Sequence, residues 1–307
     1  MRGDRGIALL NALILVAAIA AIAAGLMLSA QMSRERSTHL QFSQQAALHL
    51  DAAEYLLDPI LRADFQRDPG LDHLAEGWAR EGLDAEIDRA TLTGRLSDLQ
   101  GRFNVNSLSN TSDGAAALAF DRLLRRLGLP VALGPEIAGF VQPRGPVRAA
   151  DYADRPVPVR TGAGAVDRIE ALRLVRGMTE AHYARLAPFV AALPPGTPLN
   201  VNTALPEVLG AVMPAANPAD IARLVATRET APFRSAAEFE ARAVAMIHPR
   251  VIAQAQIPAG GLSVGTNWFE ARFDLALDGR RQSRILTVER APLDGAAYVA
   301  HRRMILP

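Results

Sequence analysis

The sequence of 307 residues contains no cysteine. Disulfide bonds, thiol nucleophiles and thiolate metal sites are therefore excluded. The six histidines are scattered along the chain without the spacing that zinc ligands show. The formal net charge at pH 7 is only +1, so the chain as a whole creates no field that would attract nucleic acid. A domain without disulfides must rely on its core, and this chain is long enough to bury a large one.

Charge is also missing from one long stretch near the N-terminus. No charged residue occurs between Gly6 and Ser33, and the stretch consists mostly of Ile, Leu, Ala and Val. About 20 apolar residues let a helix span a bilayer, where the helix satisfies its own backbone polar groups. Before the stretch, Arg2 and Arg5 outnumber the one acid, Asp4, which favours a cytoplasmic N-terminus. The sequence therefore predicts a single-pass membrane protein whose bulk lies across the membrane from its N-terminus.

The beginning of this stretch has a feature of its own. A short charged leader ends at Gly6, and the apolar helix begins directly at Ile7. This arrangement resembles the class III leader of type IV pilins and type II secretion pseudopilins, in which a prepilin peptidase cuts after the glycine and methylates the new N-terminus. The resemblance implies cleavage after Gly6 and N-methylation of Ile7. The alternative interpretation, an ordinary signal peptide, is less suitable because its apolar core has only about 7–15 residues.

One residue departs from the usual pilin pattern. Most pilins carry a glutamate at the fifth position of the mature chain, and here that position is Asn11. A carboxylate in lipid is costly and is kept where it finds a partner, but an amide cannot make the same ion pair with a neighbouring subunit. The absence of this glutamate is typical of the K pseudopilin and suits the end of a filament. Asn11 could equally be a packing contact between membrane helices.

The membrane helix is predicted to continue as a stalk. Residues 34–57 contain no glycine or proline, and their apolar residues recur near helical spacing. We expect the helix to bend or end at Asp58-Pro59, because the residue before a proline disfavours helix. Two alternating runs, at 85–88 and 91–99, then predict two antiparallel strands.

The segment that follows carries a more specific pattern. Residues 94–108 read Gly-Arg-Leu-Ser-Asp-Leu-Gln-Gly-Arg-Phe-Asn-Val-Asn-Ser-Leu, which resembles the signature of the type II secretion minor pseudopilin K family. Residues 169–179 and 199–204 are similar to the same family, in which an all-helical insertion sits on the pilin fold. Apolar spacing also predicts helices in this region. They are expected at 115–127, 135–141, 167–174, 179–192, 205–212, 218–228 and 235–245, with a surface loop at 143–164.

After Gly260-Gly261 the periodicity returns to two. Alternation over 268–277, a turn at Asp278-Gly279 and runs at 282–288 and 297–304 predict three returning strands. The resemblance thus covers nearly the whole chain and implies an α+β fold in five parts. These are a class III leader (1–6), a transmembrane and stalk helix (7–62), the first part of a pilin-like antiparallel sheet (63–106), a large all-helical insertion (107–260) and the returning strands (261–307).

The resemblance also implies a function. The protein is expected to be a structural component rather than an enzyme: a minor pseudopilin that caps the tip of the type II secretion pseudopilus, starts its assembly and supports protein export. Its implied partners are the minor pseudopilins I and J, the prepilin peptidase and the inner-membrane secretion platform. The implied location is the bacterial inner membrane, with the bulk in the periplasm. Two alternatives stay open, a tip pilin of a type IV pilus and a membrane-anchored DNA receptor.

The DNA-receptor alternative depends on one short pattern. Asn200-Val-Asn-Thr203 followed by Leu209 resembles the start of a helix-hairpin-helix. Such a hairpin needs a glycine-rich turn whose amides face phosphate, whereas the turn here contains Pro214 and no glycine. We therefore expect no nucleic acid as a partner. The asparagines are expected to bond to nearby backbone instead.

Three further signals are weaker. Gly261-Leu-Ser263-Val-Gly265, followed by Asp294 and His301, matches the nucleophile-elbow pattern, but a strand rather than the required helix follows it.

Some members of the K family bind calcium, and acids near loops are available here, but no loop has a calcium-binding spacing. These acids are Glu136, Asp151 and Asp154, and no metal ligand or cofactor is assigned. Charges on the first strands are expected to form a surface ion-pair patch. Its members are Asp88, Arg95, Asp98 and Arg102.

Overall fold

The computed structural model describes residues 4–80, 82–87, 89–147, 150–153 and 164–305. The helices are α1 (Asp4–Tyr55), α2 (Leu57–Arg67), α3 (Gly77–Arg80), α4 (Gly114–Arg126), α5 (Leu133–Val141), α6 (Ala150–Ala153), α7 (Glu180–Leu186), α8 (Pro206–Val212), α9 (Pro218–Thr230), α10 (Ala236–Met246) and α11 (Arg250–Ala253). The strands are β1 (Leu83–Ile87), β2 (Ala90–Asp98), β3 (Phe103–Asn104), β4 (Val190–Ala191), β5 (Leu199–Asn200), β6 (Leu262–Ser263), β7 (Trp268–Leu277), β8 (Arg280–Arg290) and β9 (Ala297–Ile305).

Helix α1 joins the predicted membrane segment and stalk into one continuous element. Its 52 residues extend about 78 Å at 1.5 Å per residue, and its apolar part is long enough to cross a membrane. The break falls at Leu56, immediately before the Asp58-Pro59 pair. Pro59 lies in the first turn of α2, where proline is tolerated because its missing N–H has no helical partner. The helical chain therefore extends to Arg67, beyond the residue 62 expected from the sequence.

The central sheet has five strands in the order β1-β2-β7-β8-β9, all antiparallel. The alternation in the sequence predicts these strands correctly, and β7 has the predicted bounds. Asp278 and Gly279 form the β7–β8 turn with φ values of 50° and 76°, which a two-residue hairpin turn requires. Helices α1 and α2 cover one face of the sheet. The core between them contains Ala46, Leu50, Ala53, Leu57 and Leu61 from the helices and Leu92, Phe269, Ala271, Leu286 and Val288 from the strands.

The helical block interrupts the sheet between β2 and β7, which are neighbours. Asp98 at the end of β2 lies opposite Phe269 near the start of β7, so the insertion leaves and re-enters through adjacent strands. Its helices surround a separate apolar core. Phe103 and Val105, which the sequence assigns to the sheet segment 63–106, belong to this second core. The first part of the sheet therefore ends at Asp98, the last residue of β2.

Within the insertion, the predicted helices are present with shifted ends. Segment 167–174 is a 3-10 helix, Ile169–Leu174, and segment 179–192 is helical only as far as Phe189. Thr179 caps α7, since its side chain accepts a hydrogen bond from the His182 N–H. Two short parallel strand pairs, β3 with β4 and β5 with β6, were not expected from the sequence.

The insertion is attached to the end of the sheet that lies farthest from the membrane helix. At the near end, the Arg280 guanidinium lies 5.7 Å from the ring centroid of Phe42 in α1. At the far end, Arg290 contacts Asp64 in α2. The attachment, which we call the neck, consists of residues 98–104, 199–204 and 264–268. It joins the two cores of the molecule.

Candidate functional site: stalk, neck and acid cluster

The residues predicted for processing and assembly lie at the start of α1. Gly6, Ile7 and Asn11 are all within the helix, but their side-chain contacts lie outside the described part of the structure. Cleavage after Gly6, methylation of Ile7 and the assembly role of Asn11 therefore stay predictions. The described membrane part of α1 exposes aliphatic side chains, as a lipid-facing helix does.

The stalk is fixed to the sheet by an apolar stripe and by ion pairs at its side. Arg284 of β8 is buried, and its Nη1 lies 2.6 Å from Asp51 Oδ1 and 3.3 Å from Glu54 Oε2 in α1. Arg302 of β9 also bonds to Glu54. The opposite face of the same helix exposes large apolar side chains. They are Leu40, Leu48 and Tyr55.

Asp98 is the centre of the neck. Its carboxylate accepts hydrogen bonds from the Gln100 N–H (2.6 Å), Asn200 Nδ2 (3.0 Å), Thr203 Oγ1 (2.5 Å) and Thr266 Oγ1 (2.7 Å). These donors come from both ends of the insertion and from its interior loop. Burial raises the pKa of Asp98 to about 6, and the bonds from Thr203 and Thr266 oppose that rise.

The prediction that Asp98 belongs to a surface ion-pair patch is therefore wrong. Asp98 is only 7% exposed, while Arg95 pairs with Asp84 and Arg102 pairs with Glu270. Asp88, the fourth expected member, lies outside the described residues. The sequence did contain a signal that would have found the error. Asp98 has the same strand parity as the buried Ala90 and Leu92, and Arg95 has the opposite parity.

A second buried acid holds the neck to the helices below it. Asp72 Oδ2 accepts from the Thr266 N–H (2.7 Å) and from Arg290 Nη2 (2.5 Å). The backbones also approach closely, because a Cβ on Gly265 would lie 2.5 Å from the carbonyl oxygen of Gly70. Only glycine fits there without displacing the neighbouring chain. The neck is thus joined by polar bonds and by direct backbone contact.

The asparagines of the motif that resembles a helix-hairpin-helix bond to backbone, as expected. Asn202 accepts from the Phe233 N–H and donates to the Phe233 carbonyl, both at 2.9 Å. Asn200 accepts from the Asn202 N–H at 3.0 Å. These bonds connect the turn after β5 to the loop before α10 and hold the insertion together.

The arginines near the α8–α9 hairpin are also engaged within the protein. Arg223 pairs with Asp220 at 2.5 Å, and Arg234 pairs with Asp68 at 3.5 Å. Arg228 is buried and donates to the Val201 carbonyl at 2.7 Å, and burial lowers its pKa to about 10. These three arginines therefore do not form a free basic face for phosphate.

The nucleophile-elbow pattern does not form an elbow. Ser263 lies in β6, and its hydroxyl donates to the Gly265 carbonyl at 2.8 Å. Strand β7 follows it, whereas an elbow requires a helix. His301 lies in β9 opposite Thr287, and Asp294 lies beside Arg62. The structure therefore does not assemble a triad from these residues.

The acids considered for calcium do not form a described site. The Glu136 carboxylate bonds to the Arg176 guanidinium, and both Asp154 and the side chain of Asp151 lie outside the described residues. A different group of acids, which the sequence analysis missed, comes together below the neck. This acid cluster consists of Asp64, Asp72 and Glu76, with one oxygen from each within 4.8 Å of the others.

The acid cluster already has a positive charge against it. Arg290 Nη2 lies 2.5 Å from Asp72 Oδ2, and Nη1 lies 3.4 Å from Asp64 Oδ2. Burial, followed by repulsion from Glu76 and Asp72, raises the pKa of Asp64 to about 6. The cluster does not fit a calcium site as it stands, because a guanidinium lies against two of the three carboxylates and would repel a divalent cation.

Comparison with known proteins agrees with this architecture. Two family models, both for type II secretion system (T2SS) protein K, match residues 101–195 and 199–257. The chain is 32% identical to type II secretion system protein K of Pseudomonas aeruginosa, over 99% of this chain and 93% of that protein. It is 30% identical to protein K of Klebsiella pneumoniae, over 80% of each.

A solved structure has the same fold. It is the crystal structure of the GspK-GspI-GspJ complex from the enterotoxigenic Escherichia coli type 2 secretion system. The TM-score is 0.76 at 23% identity, and the match covers 89% of this chain and 100% of that chain. The likeness extends over most of this chain and shows the shared fold. The chain belongs to the type II secretion system protein K family and is a minor pseudopilin component of that system.

Proposed function

We propose that this protein caps the tip of the type II secretion pseudopilus together with the minor pseudopilins I and J. The position of the insertion carries the proposal. The neck is at the end of the sheet farthest from the membrane helix, so the insertion lies where another subunit would be added above this one. The solved relative is a complex of GspK with GspI and GspJ, which supports the choice of partners.

The proposal includes how the chain is divided and processed. Residues 1–6 are the leader, 7–67 the anchor and stalk, 83–98 and 268–305 the two strand-forming parts of the pilin-like sheet, and 99–267 the helical insertion. The prepilin peptidase cuts after Gly6 and methylates Ile7 on the cytoplasmic side of the inner membrane, and the bulk is periplasmic. The leader sequence and the family membership support these steps.

In this mechanism the protein acts by shape rather than by chemistry. The apolar part of α1 anchors it beside the inner-membrane secretion platform, and the exposed face of the stalk packs against the stalks of I and J. Asn11 replaces the usual glutamate, so the subunit cannot make the usual ion pair with a neighbouring subunit, which suits the end of a filament. The insertion then blocks further addition, and the complex starts filament growth and the export of folded proteins.

Neither alternative has an observation in its favour. A type IV pilus origin would require relatives among pilins, whereas the family models and curated relatives reported above are proteins K of type II secretion systems. A DNA receptor would require free cations at the hairpin, whereas Arg223, Arg228 and Arg234 are engaged within the protein.

The absence of cysteine gives a direct test of the partner arrangement. In a Leu48→Cys variant the only thiol is on the exposed stalk face, where Leu48 is 69% exposed. We expect it to form a disulfide with a single cysteine in the stalk helix of I or J in native membranes. Leu118→Cys is the matched control, because Leu118 is exposed on the insertion instead. Crosslinking to I or J from Leu118→Cys but not from Leu48→Cys would contradict the arrangement.

Processing is tested by the intact mass of the protein from its native membrane. We expect a chain that begins at Ile7 and carries one added methyl group. The sequence contains no lysine, so the terminal amine is the one primary or secondary amine that reductive methylation can modify. An N-methylated chain gains one further methyl group, and an unmethylated chain gains two. A chain that begins at Met1 would contradict the proposal.

A further inference from the structure

Arg290 is the least exposed arginine of the described chain, with 2% of its surface accessible. Its guanidinium donates to Asp72 Oδ2 at 2.5 Å and to the Thr266 carbonyl at 2.7 Å. Its other terminal nitrogen lies 3.4 Å from Asp64 Oδ2. The residue thus joins β8 to α2, to the loop after α2 and to the neck at a single point.

Two aromatic rings hold the guanidinium in this position. Its Cζ atom lies 5.3 Å from the ring centroid of Phe65 and 5.0 Å from that of Phe269. Rings at such distances stabilise a cation through their negative faces. Phe65 comes from α2 and Phe269 from β7, so the surroundings of the charge are built by separate elements. The two rings therefore form a site that suits a planar cation, and this site is built by residues other than Arg290 itself.

The groups around Arg290 need this positive charge. The acid cluster brings three carboxylates together, and two of its members are buried. Glu76 has further donors of its own, the His73 N–H at 3.0 Å and Trp78 Nε1 at 2.6 Å. His73 lies at the edge, with Nε2 3.7 Å from Glu76 Oε1. Three acids at this spacing form the kind of group that holds a divalent ion in other proteins.

We propose that Arg290 is a built-in cation for the acid cluster, in the role that a bound divalent metal ion would otherwise have, and that it makes the joint below the neck independent of calcium. A tethered guanidinium has no dissociation equilibrium, so its charge is present at any calcium concentration. The planar guanidinium also donates hydrogen bonds in fixed directions to the carboxylates, whereas a spherical metal ion has no such fixed directions. The inference does not depend on tip capping.

A rival arrangement would place a metal ion beside Arg290. Its support is Asp72 Oδ1, a buried oxygen for which the described residues provide no hydrogen-bond partner. The two arrangements differ in what calcium does to the wild-type protein. Under the proposal calcium has no effect on its stability, whereas under the rival arrangement calcium stabilises it by binding to the folded state.

The test compares thermal unfolding of the full chain in detergent with EDTA and with millimolar calcium. The two tryptophans, Trp78 and Trp268, report on the joint, since Trp78 donates to Glu76 and Trp268 lies in the neck. We expect equal Tm values for the wild type in both conditions. For Arg290→Gln we expect a Tm lower by roughly 10 °C in EDTA, with most of the loss recovered in calcium.

The matched control is Arg284→Gln. Arg284 is on the same strand and is also buried, but it faces Asp51 and Glu54 rather than the acid cluster. We expect Arg284→Gln to lower Tm equally in EDTA and in calcium. Recovery of this control in calcium as well would mean that calcium acts non-specifically, which would overturn the proposal.

Two further outcomes would also overturn it: a wild-type Tm that rises with calcium, or an Arg290→Gln protein that calcium does not rescue. Should Arg290→Gln fail to fold, the wild-type comparison still decides between the two arrangements.

The double variant Arg290→Gln/Asp64→Asn keeps the net charge of the wild-type cluster. We expect it to fold in EDTA and to show no calcium response, and a calcium requirement in this variant would count against the proposal.

Discussion

At the scale of residues, buried charges rather than surface pairs define this protein. All 33 basic residues are arginine, and three of them, Arg228, Arg284 and Arg290, are buried. A guanidinium presents several donors in a fixed plane and is weakly hydrated, so it can be buried against carboxylates and carbonyls. Loss of either partner leaves an uncompensated buried group, which costs several kcal/mol. These sites are therefore where single substitutions have large effects.

Asp98→Asn should weaken the neck. The amide NH2 would face either the Gln100 N–H or Asn200 Nδ2, which can only donate, so one donor pair would face each other in either orientation. We expect a loss of about 2–3 kcal/mol in the free energy of unfolding, measured by urea titration of the full chain in detergent. Asp84→Asn is the control, because Asp84 is exposed and should change stability by less than about 0.5 kcal/mol. Equal effects of the two changes would contradict the hub role of Asp98.

The same variant should alter the pH dependence of stability. The pKa of Asp98 is about 6 in the folded protein against an ordinary value of 3.8, so the folded state binds this proton more tightly than the unfolded state. The contribution of the group is largest below its ordinary pKa and is lost as pH rises through about 6. Asp64 acts in the same direction, and His73, whose pKa is lowered by burial, acts in the opposite one. Asp98→Asn should therefore lose less stability than the wild type between about pH 4 and about pH 7.

At the scale of elements, the sequence predicts what local periodicity determines. Strand β7 and the Asp278-Gly279 turn follow from alternation and from a residue pair that accepts positive φ. Helix α1 follows from its apolar run, and the break near Pro59 follows from the restricted backbone before proline. Each of these features depends on residues that are close in the chain.

The remaining features depend on residues that are far apart in the chain. The pair β3–β4 joins Phe103 to Val190, and two-residue strands carry too little alternation to be detected. Asp72 and Arg290 are 218 residues apart, so neither position indicates the other. For Asp98 the local signal, strand parity, existed, but a charged residue near other charges was interpreted as exposed. The position of the neck thus became visible only in three dimensions.

Two leucines of the stalk should separate folding from assembly. Leu50 is 0% exposed against the sheet, and Leu48, two residues earlier, faces away from it. Leu50→Ala should lower the free energy of unfolding by about 2–5 kcal/mol, because it leaves a cavity in the core. Leu48→Ala should leave stability within about 0.5 kcal/mol of the wild type and reduce co-purification with I and J from native membranes. Equal effects of both changes on stability would contradict the assignment of the two faces.

At the scale of the whole molecule, the parts are connected in series from the membrane outward. The anchor continues into the stalk, the stalk is fixed to the sheet by the core and by Arg284, and the sheet is fixed to the insertion by Asp98 and Asp72. The neck has no long flexible linker, because its segments are hydrogen-bonded and the backbone at Gly265 touches that at Gly70. A cap that must block a filament end needs this fixed orientation, since a freely rotating insertion would leave the end accessible.

Removal of the insertion should separate initiation from blocking. Asp98 and Phe269 are opposite each other, so replacement of residues 99–268 by Asn-Gly would join β2 and β7 with a two-residue turn. The shortened protein keeps the anchor and the stalk. It also keeps every residue pairing of the central sheet except that of Trp268 with Glu289. We expect it to assemble with I and J and to start pseudopili that grow longer than normal, measured by electron microscopy of cells that lack the native gene. Cells without either form should make few pseudopili, because nothing starts them. Pseudopili of normal length from the shortened protein would show that the blocking surface is in the sheet or stalk, and the proposed role of the insertion as the cap would fail.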